Sequence, residues 1–274
     1  MLKKKLLVAA LGTLFALPVL AEEAEVTKHK EDIHVIPASA HTFTSNVSLV
    51  SDYLYRGISQ SGAGAAIQGG FDFSHSSGIY LGAWGSSISW LGDAGIAASA
   101  GVANAGLELD TYGGYKGAAG DVSYDVGFLR YNYPGTYAAG ITKADTNELY
   151  GALTYSIVTA KLSYCLGDLF GVSNAKGSTY LDVSASYPIA DTGITAGAHY
   201  GKQAYKGSTA DGLAAAGADP TYTDYKLSVA KDFSGYVVGA TYSSTNTSSS
   251  SFYTNLQGKK LGKGTLVLSL SRTF

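Results

Sequence analysis

The chain has 274 residues with 35 Gly, 21 Tyr, one Met and one Cys, and 15% of its residues are charged. One cysteine excludes an internal disulfide framework and a two-cysteine zinc site, and scarce helix formers argue against a helical domain. The formal net charge is −2, so nothing in the composition favours a nucleic-acid partner, which requires clustered Lys and Arg.

In chain order, Lys3, Lys4 and Lys5 precede an apolar run from Leu6 to Leu20 and the small residue Ala21. This is the pattern of a secretory signal, residues 1–21, with cleavage expected after Ala21; the run is too short for a spanning helix, which needs about 20 residues. Without those three lysines the chain carries 16 basic against 21 acidic residues, a formal charge of −5. Residues 22–41 are charged, contain Pro37 and do not alternate, and they read as a flexible periplasmic lead. Two histidines in that lead, His29 and His34, are five apart on a flexible segment and make a poor preformed metal site.

From Phe43 the sequence alternates with a period of two. Phe43, Val47, Leu49, Tyr53 and Tyr55 share one row, and Thr44, Asn46, Ser48 and Asp52 share the other. The same split recurs at Ile67–Ser74, Leu107–Tyr112, Val122–Phe128, Leu149–Tyr155, Leu162–Leu166, Leu181–Tyr187, Ile194–Tyr200, Tyr225–Val229, Tyr236–Tyr242 and Leu266–Phe274, with a strand of ambiguous facing at Ile79–Ser87. About twelve strands are therefore predicted across residues 42–274.

The connections separate a soluble sandwich from a barrel. Short links (His75 to Gly78, Lys116 to Gly120, Ser156 to Thr159, Pro188 to Gly193, Lys231 to Gly235) alternate with long ones (Arg56 to Ala65, Ser87 to Asn104, Pro134 to Thr146, Gly167 to Gly177, Gly201 to Thr221, Ser243 to Gly262). One tight end and one elaborated end are expected of an all-β transmembrane up-and-down antiparallel barrel with short periplasmic turns and long extracellular loops. The alternating last strand closes on Phe274, which resembles the terminal aromatic by which the outer-membrane assembly machinery recognises its clients.

Parity places Asp52, Arg56, Asp72, Glu108, Asp110, Asp125, Glu148, Lys161, Asp182, His199, Asp224 and Lys226 on the row opposite the lipid-facing side chains, as lumen-lining candidates. On the lipid side near the midplane, Lys or Arg would cost about 2–4 kcal/mol and acids less. Inside, carboxylates can pair with Arg56, Lys161 and Lys226 or line water, so a salt-bridged, partly plugged interior and a polar conduit both stay open. Acids outnumber Lys and Arg eight to three in this set, so a conduit is expected to prefer cations.

A lipid-modifying enzyme would need His and Ser together on the lipid face. His29, His34 and His41 precede the expected first strand, His75 sits in a short turn and His199 lies on the inward row, so no catalytic residue, cofactor or metal site is expected. Gly62 to Ala66 lacks the lysine and following helix of a phosphate-binding loop, and Cys165 reads as an inert inward thiol.

The stretch TFTSNVSLVSDYLYRGISQS, ending at Ser61, and AIQGGFDF at Ala66 to Phe73 resemble the proteobacterial TorF family of porins, once filed as conserved proteins of unknown function. The resemblance extends to Asn104–Tyr115, to Ser123–Gly135, to Asn147–Gly151 and to the closing Ser-Arg-Thr-Phe, with Tyr55 to Gln60 its most specific piece. It implies an outer-membrane location and passive passage of small polar solutes, and it adds no catalytic residue. From the residues, Tyr55 is expected at the headgroup boundary, Arg56 turned inward to a carboxylate, and Gly57 at a bend. Twelve strands leave room for a narrow or gated lumen, which the loop Gly201 to Thr221 is expected to restrict. The alternative is a non-conducting barrel acting through its loops, in adhesion or as a structural protein.

Overall fold

The computed structural model describes residues 40–93, 105–247 and 249–274. The expected signal, nearly all of the lead with His29 and His34, and residues 94–104 of the second long loop lie outside the described residues. The elements are β1 (His41–Val50), β2 (Leu54–Tyr55), β3 (Ile58–Ser59), β4 (Ala66–His75), β5 (Ile79–Ser87), β6 (Leu107–Ala119), β7 (Val122–Asn132), β8 (Thr146–Tyr155), β9 (Val158–Cys165), β10 (Thr179–Ile189) and β11 (Ile194–Ala204). The helix α1 (Ser208–Ala215), then β12 (Tyr222–Phe233), β13 (Tyr236–Thr245) and β14 (Thr265–Thr273) follow.

Twelve of the strands close an antiparallel barrel in which each pairs with its sequence neighbours and β14 returns to β1. The seam pairs Asn46 with Thr273 and Val50 with Ser269, and the Ser45 and Phe274 backbones exchange hydrogen bonds beyond it. Closure leaves no unpaired edge, which is why a barrel can stand in lipid. All twelve alternating stretches became wall strands, including Ile79–Ser87, whose Leu81 is exposed and Trp84 buried.

The wall follows the period of two. Leu49, Phe71, Leu81, Leu109, Val126, Leu153, Leu162, Leu227, Val238 and Leu268 are exposed outside, whereas Ser48, Gln68, Ser86, Glu108, Glu148, Ser163 and Asp224, on the opposite row, are buried. This inversion, apolar out and polar in, is that of a barrel solvated by hydrocarbon. Phe43, Tyr155, Tyr187, Phe233 and Phe274 are exposed around the short-turn rim, as an interfacial aromatic girdle requires. The turns there are tight: Gly120 and Asp121 alone join β6 to β7, and Ser234 and Gly235 join β12 to β13 with φ of 56° and 90°, the left-handed pair of a two-residue hairpin.

Four expectations need correction. His41 is the first residue of β1 rather than part of the lead. His75 closes β4 instead of lying in the turn. The first wall strand stops at Val50 instead of running on to Tyr55, because the alternation from Leu54 belongs to a separate hairpin of β2 and β3. The expected loop Gly201 to Thr221 is shorter, since β11 runs on to Ala204, and it contains the helix α1.

Candidate functional site

After Val50 the chain leaves the wall and turns into the barrel. Arg56 and Gly57 form the tip of the β2–β3 hairpin, both with positive φ, 46° and 79°, and Tyr55 pairs with Ile58 behind them. Only glycine fits at 57, since a Cβ there would lie 2.7 Å from both Asp224 Cβ and Thr245 Cγ2. The base of the hairpin is tied by Asp52, which accepts hydrogen bonds from the hydroxyls of Ser59 at 2.6 Å and Ser61 at 3.1 Å. Burial raises the Asp52 carboxyl above its ordinary pKa, and the two hydroxyls act against that rise.

The tip carries Arg56 across the lumen. Its Nη2 donates to both oxygens of Glu148 on β8, at 2.9 and 2.7 Å, and its Nη1 donates to Gln203 Oε1 on β11 at 2.6 Å. The guanidinium lies over the ring of Tyr180, with 4.2 Å to the centroid, and near those of Tyr55 and Phe170. Both charged side chains are 3% exposed. A bidentate, stacked arginine is the form of ion pair best able to offset desolvation.

Around this latch the long loops pack an aromatic core. Tyr55 and Tyr131 share a hydroxyl contact of 2.5 Å, and Phe170 stands edge-on to Tyr55, Tyr131 and Tyr133. Trp90, Leu169, Phe252, Tyr253 and Leu261 complete the buried cluster. A cavity of about 50 Å³ remains beside Arg56, between Ile58, Gln60, Trp90, Tyr205 and Leu261, with room for ordered water. The long-loop end is thus corked.

Below the cork the interior changes character. Tyr112 donates to Asp72 at 2.6 Å, and Tyr80 donates to Asp125 at 2.6 Å and contacts the Tyr150 hydroxyl. These phenols lie flat against the wall because small inner positions receive them: a Cβ at Gly82 would collide with the Tyr112 ring, and one at Gly127 with the Tyr150 hydroxyl. The Lys161 ammonium rests over the Tyr150 ring, 4.1 Å from its centroid. His199 is held between Asp182, 3.3 Å from Nδ1, and Asp224, 2.9 Å from Nε2, while Tyr180 donates to Asp224 at 2.8 Å. Lys226 is the partner of His199 in the next strand. Asp72, Asp125, Lys161, Asp182, His199 and Lys226 are partly exposed, whereas Asp52, Arg56, Glu108, Asp110, Glu148 and Asp224 are buried.

The inward turn of Arg56 onto a carboxylate is found as expected, but Tyr55 is not at a headgroup boundary: it is buried inside, because the hairpin carrying it folds inward. Lys161 and Lys226 form no salt bridge with a carboxylate among the described residues; phenol hydroxyls take that role instead. The residues that sequence reasoning missed are these tyrosines, together with Gln203 and Phe170. Tyr80, Tyr112, Tyr150, Tyr180 and Gln203 share parity with the charged candidates and were legible by that signal, whereas Phe170 comes from the loop between β9 and β10, where no alternation marks a face.

Among solved structures, the chain is similar to a KdgM porin described in complex with disordered oligogalacturonate, at 6% identity over 85% of this chain and 98% of that one, with a TM-score of 0.47. It is similar to the NanC porin at 10% identity, over 85% and 99%, with a TM-score of 0.48, and to the outer membrane protein opdK from Pseudomonas aeruginosa at 13%, over 77% and 57%, with a TM-score of 0.38. No curated protein matches. The model of a family described as bacterial proteins of unknown function, Gcw_chp, matches residues 34–274, and the chain belongs to that family.

Proposed function

We propose that this chain is a bacterial outer-membrane barrel of the TorF porin type, through which small polar solutes or ions diffuse passively along a narrow, mildly cation-preferring lumen. The observation that carries the reading is the split interior. Partly exposed ionisable groups line the interior below the hairpin, from Asp182 and Lys226 in the long-loop halves of β10 and β12 to Asp72 and Asp125 near the short turns, and a single inward hairpin, latched by one arginine, closes the long-loop end. A barrel with only a structural role has no need of a wetted charged interior. Acids exceed Lys and Arg along the inner face, which favours cations.

The same reading has the signal cleaved after Ala21, residues 22–40 as a periplasmic lead, the long loops outside the cell and Phe274 as the handle for barrel assembly. It includes no enzymatic step: His199, the one inward histidine among the described residues, has a carboxylate at each ring nitrogen.

The buried aromatic cork favours a second reading, a non-conducting barrel that acts through its loops in adhesion or as a structural protein. Planar-bilayer recording of the refolded mature protein separates the two, with the double variant Arg56→Ala/Glu148→Ala beside it. Discrete steps that enlarge in the variant and reverse towards the cation potential are the expected result. Silence from both folded proteins overturns conduction, and an anion-selective current overturns the cation preference alone.

A further inference from the structure

Six buried side-chain polar atoms lack a hydrogen-bond partner among the described residues, and three of them are oxygens of Gln68, Glu108 and Asp110. Strand register brings these residues together. Gln68 on β4 is the partner of Ser86 on β5, and Ser86 is in turn the partner of Glu108 on β6. Asp110 follows two residues later on the same inner face. Their exposures are 3% for Gln68, 0% for Glu108 and 7% for Asp110.

We propose that this patch of the inner wall, just beneath the long-loop rim, binds a hard divalent cation of the calcium class through Glu108, Asp110 and the side-chain carbonyl of Gln68. Two neighbouring carboxylates here have no basic partner among the described residues. The nearby arginine, Arg56, is committed to Glu148 and Gln203. Burying two like charges uncompensated is far more costly than leaving one hydrogen bond unmade, so the pair takes up a positive species, which is either a metal cation or a proton.

The third donor points to what that species is. Gln68 Nε2 lies 3.3 Å from Ser86 Oγ, which itself donates to the Ser87 carbonyl. Ser86 can therefore only accept from Gln68, which fixes the amide with its nitrogen on Ser86 and leaves Oε1 as an acceptor without a donor. An oxygen-only set of two carboxylates and an amide carbonyl suits calcium, which takes six to eight oxygen ligands in flexible geometry, better than magnesium, which demands a near-ideal octahedron. Tyr53 of the inward loop donates to Glu108 Oε1 at 2.9 Å and stands edge-on to Trp84. It leaves Glu108 Oε2 for the ion. The ion would thereby brace the wall against which the first loop rests. The site stands whether or not the barrel conducts.

The test is equilibrium dialysis of the folded mature protein in micelles against radiolabelled calcium chloride, with magnesium chloride as competitor. Three variants accompany the wild type: Glu108→Gln/Asp110→Asn, Gln68→Ala, and Asp125→Asn as a control for lost lumen charge. Saturable uptake of one equivalent is expected in the wild type and in D125N. It is lost in the double variant and weakened by about tenfold or more in Q68A, the least that a supporting group of a metal site contributes. Absence of saturable uptake by folded wild type, or uptake that survives in the double variant, overturns the proposal. An infrared signature of a protonated carboxyl, present without calcium uptake and absent from the double variant, overturns it in favour of a shared proton.

Discussion

Removing the Arg56 guanidinium leaves the buried Glu148 carboxylate without its bidentate partner, and a buried charge stripped of its hydrogen-bonded partner is among the most damaging single changes a protein can suffer. Arg56→Ala is expected to cost about 3–5 kcal/mol in urea unfolding of the micellar protein. Arg56→Ala/Glu148→Ala removes both charges and is expected to lose less than the single change. Gly57→Ala forces a side chain into a left-handed conformation and against Asp224, at a cost of at least about 1–3 kcal/mol. Gly212→Ala is the matched control: nothing lies within 4 Å of its Cβ position and it sits inside α1, so it is expected to gain about 0.5–1 kcal/mol. At this level the sequence spoke partly. Arg56 is one of few bases on the inner row, so an inward carboxylate partner followed from charge alone. Which carboxylate it meets did not follow, because Glu148 is 92 residues away in the chain.

Strands were the most legible elements, since one face meets hydrocarbon and the other the lumen, and the pleat converts that contrast into strict alternation. The outward row gives a depth-dependent prediction. Leu227 lies near the middle of β12 and is 64% exposed, so Leu227→Arg is expected to destabilise the barrel by about 2–4 kcal/mol, measured by reversible unfolding in lipid vesicles. Leu107 opens β6 at the long-loop rim, and Leu107→Arg is expected to cost only about 0–1 kcal/mol. Equal costs at both positions would remove the bilayer from the account. The strand reading failed at Tyr53 and Tyr55, and the reason is physical: they continue the row of Leu49 in the sequence but are buried in the aromatic core inside the barrel instead of facing lipid. A period of two reports two unlike environments, whatever those environments are. β6 was read short for the converse reason, as Gly113, Gly114 and Gly117 carry no side chain to mark a face.

Taken together, the barrel has two parts: a wetted interior below the hairpin and an apolar cork at the long loops. Within the cork, α1 is peripheral, with Ala210 its one buried residue, whereas the β2–β3 hairpin lies at the centre. Deleting Leu213 to Ala218 is therefore expected to change single-channel conductance less than opening the Arg56–Glu148 latch does. The reverse order in the same bilayer would move the constriction to α1. Twelve strands, their order, their closure and the asymmetry of the two rims were all readable from the chain, because alternation and loop length are local properties, and backbone groups in lipid leave a closed barrel as the one all-β solution. The path of the first loop into the lumen was not readable, nor were the partners of Arg56, the particular acid that each inner phenol meets or the register that lines up Gln68, Ser86 and Glu108 across three strands. Those depend on residues tens to more than a hundred positions apart meeting across a closed wall, and such distances exist only once the barrel has closed.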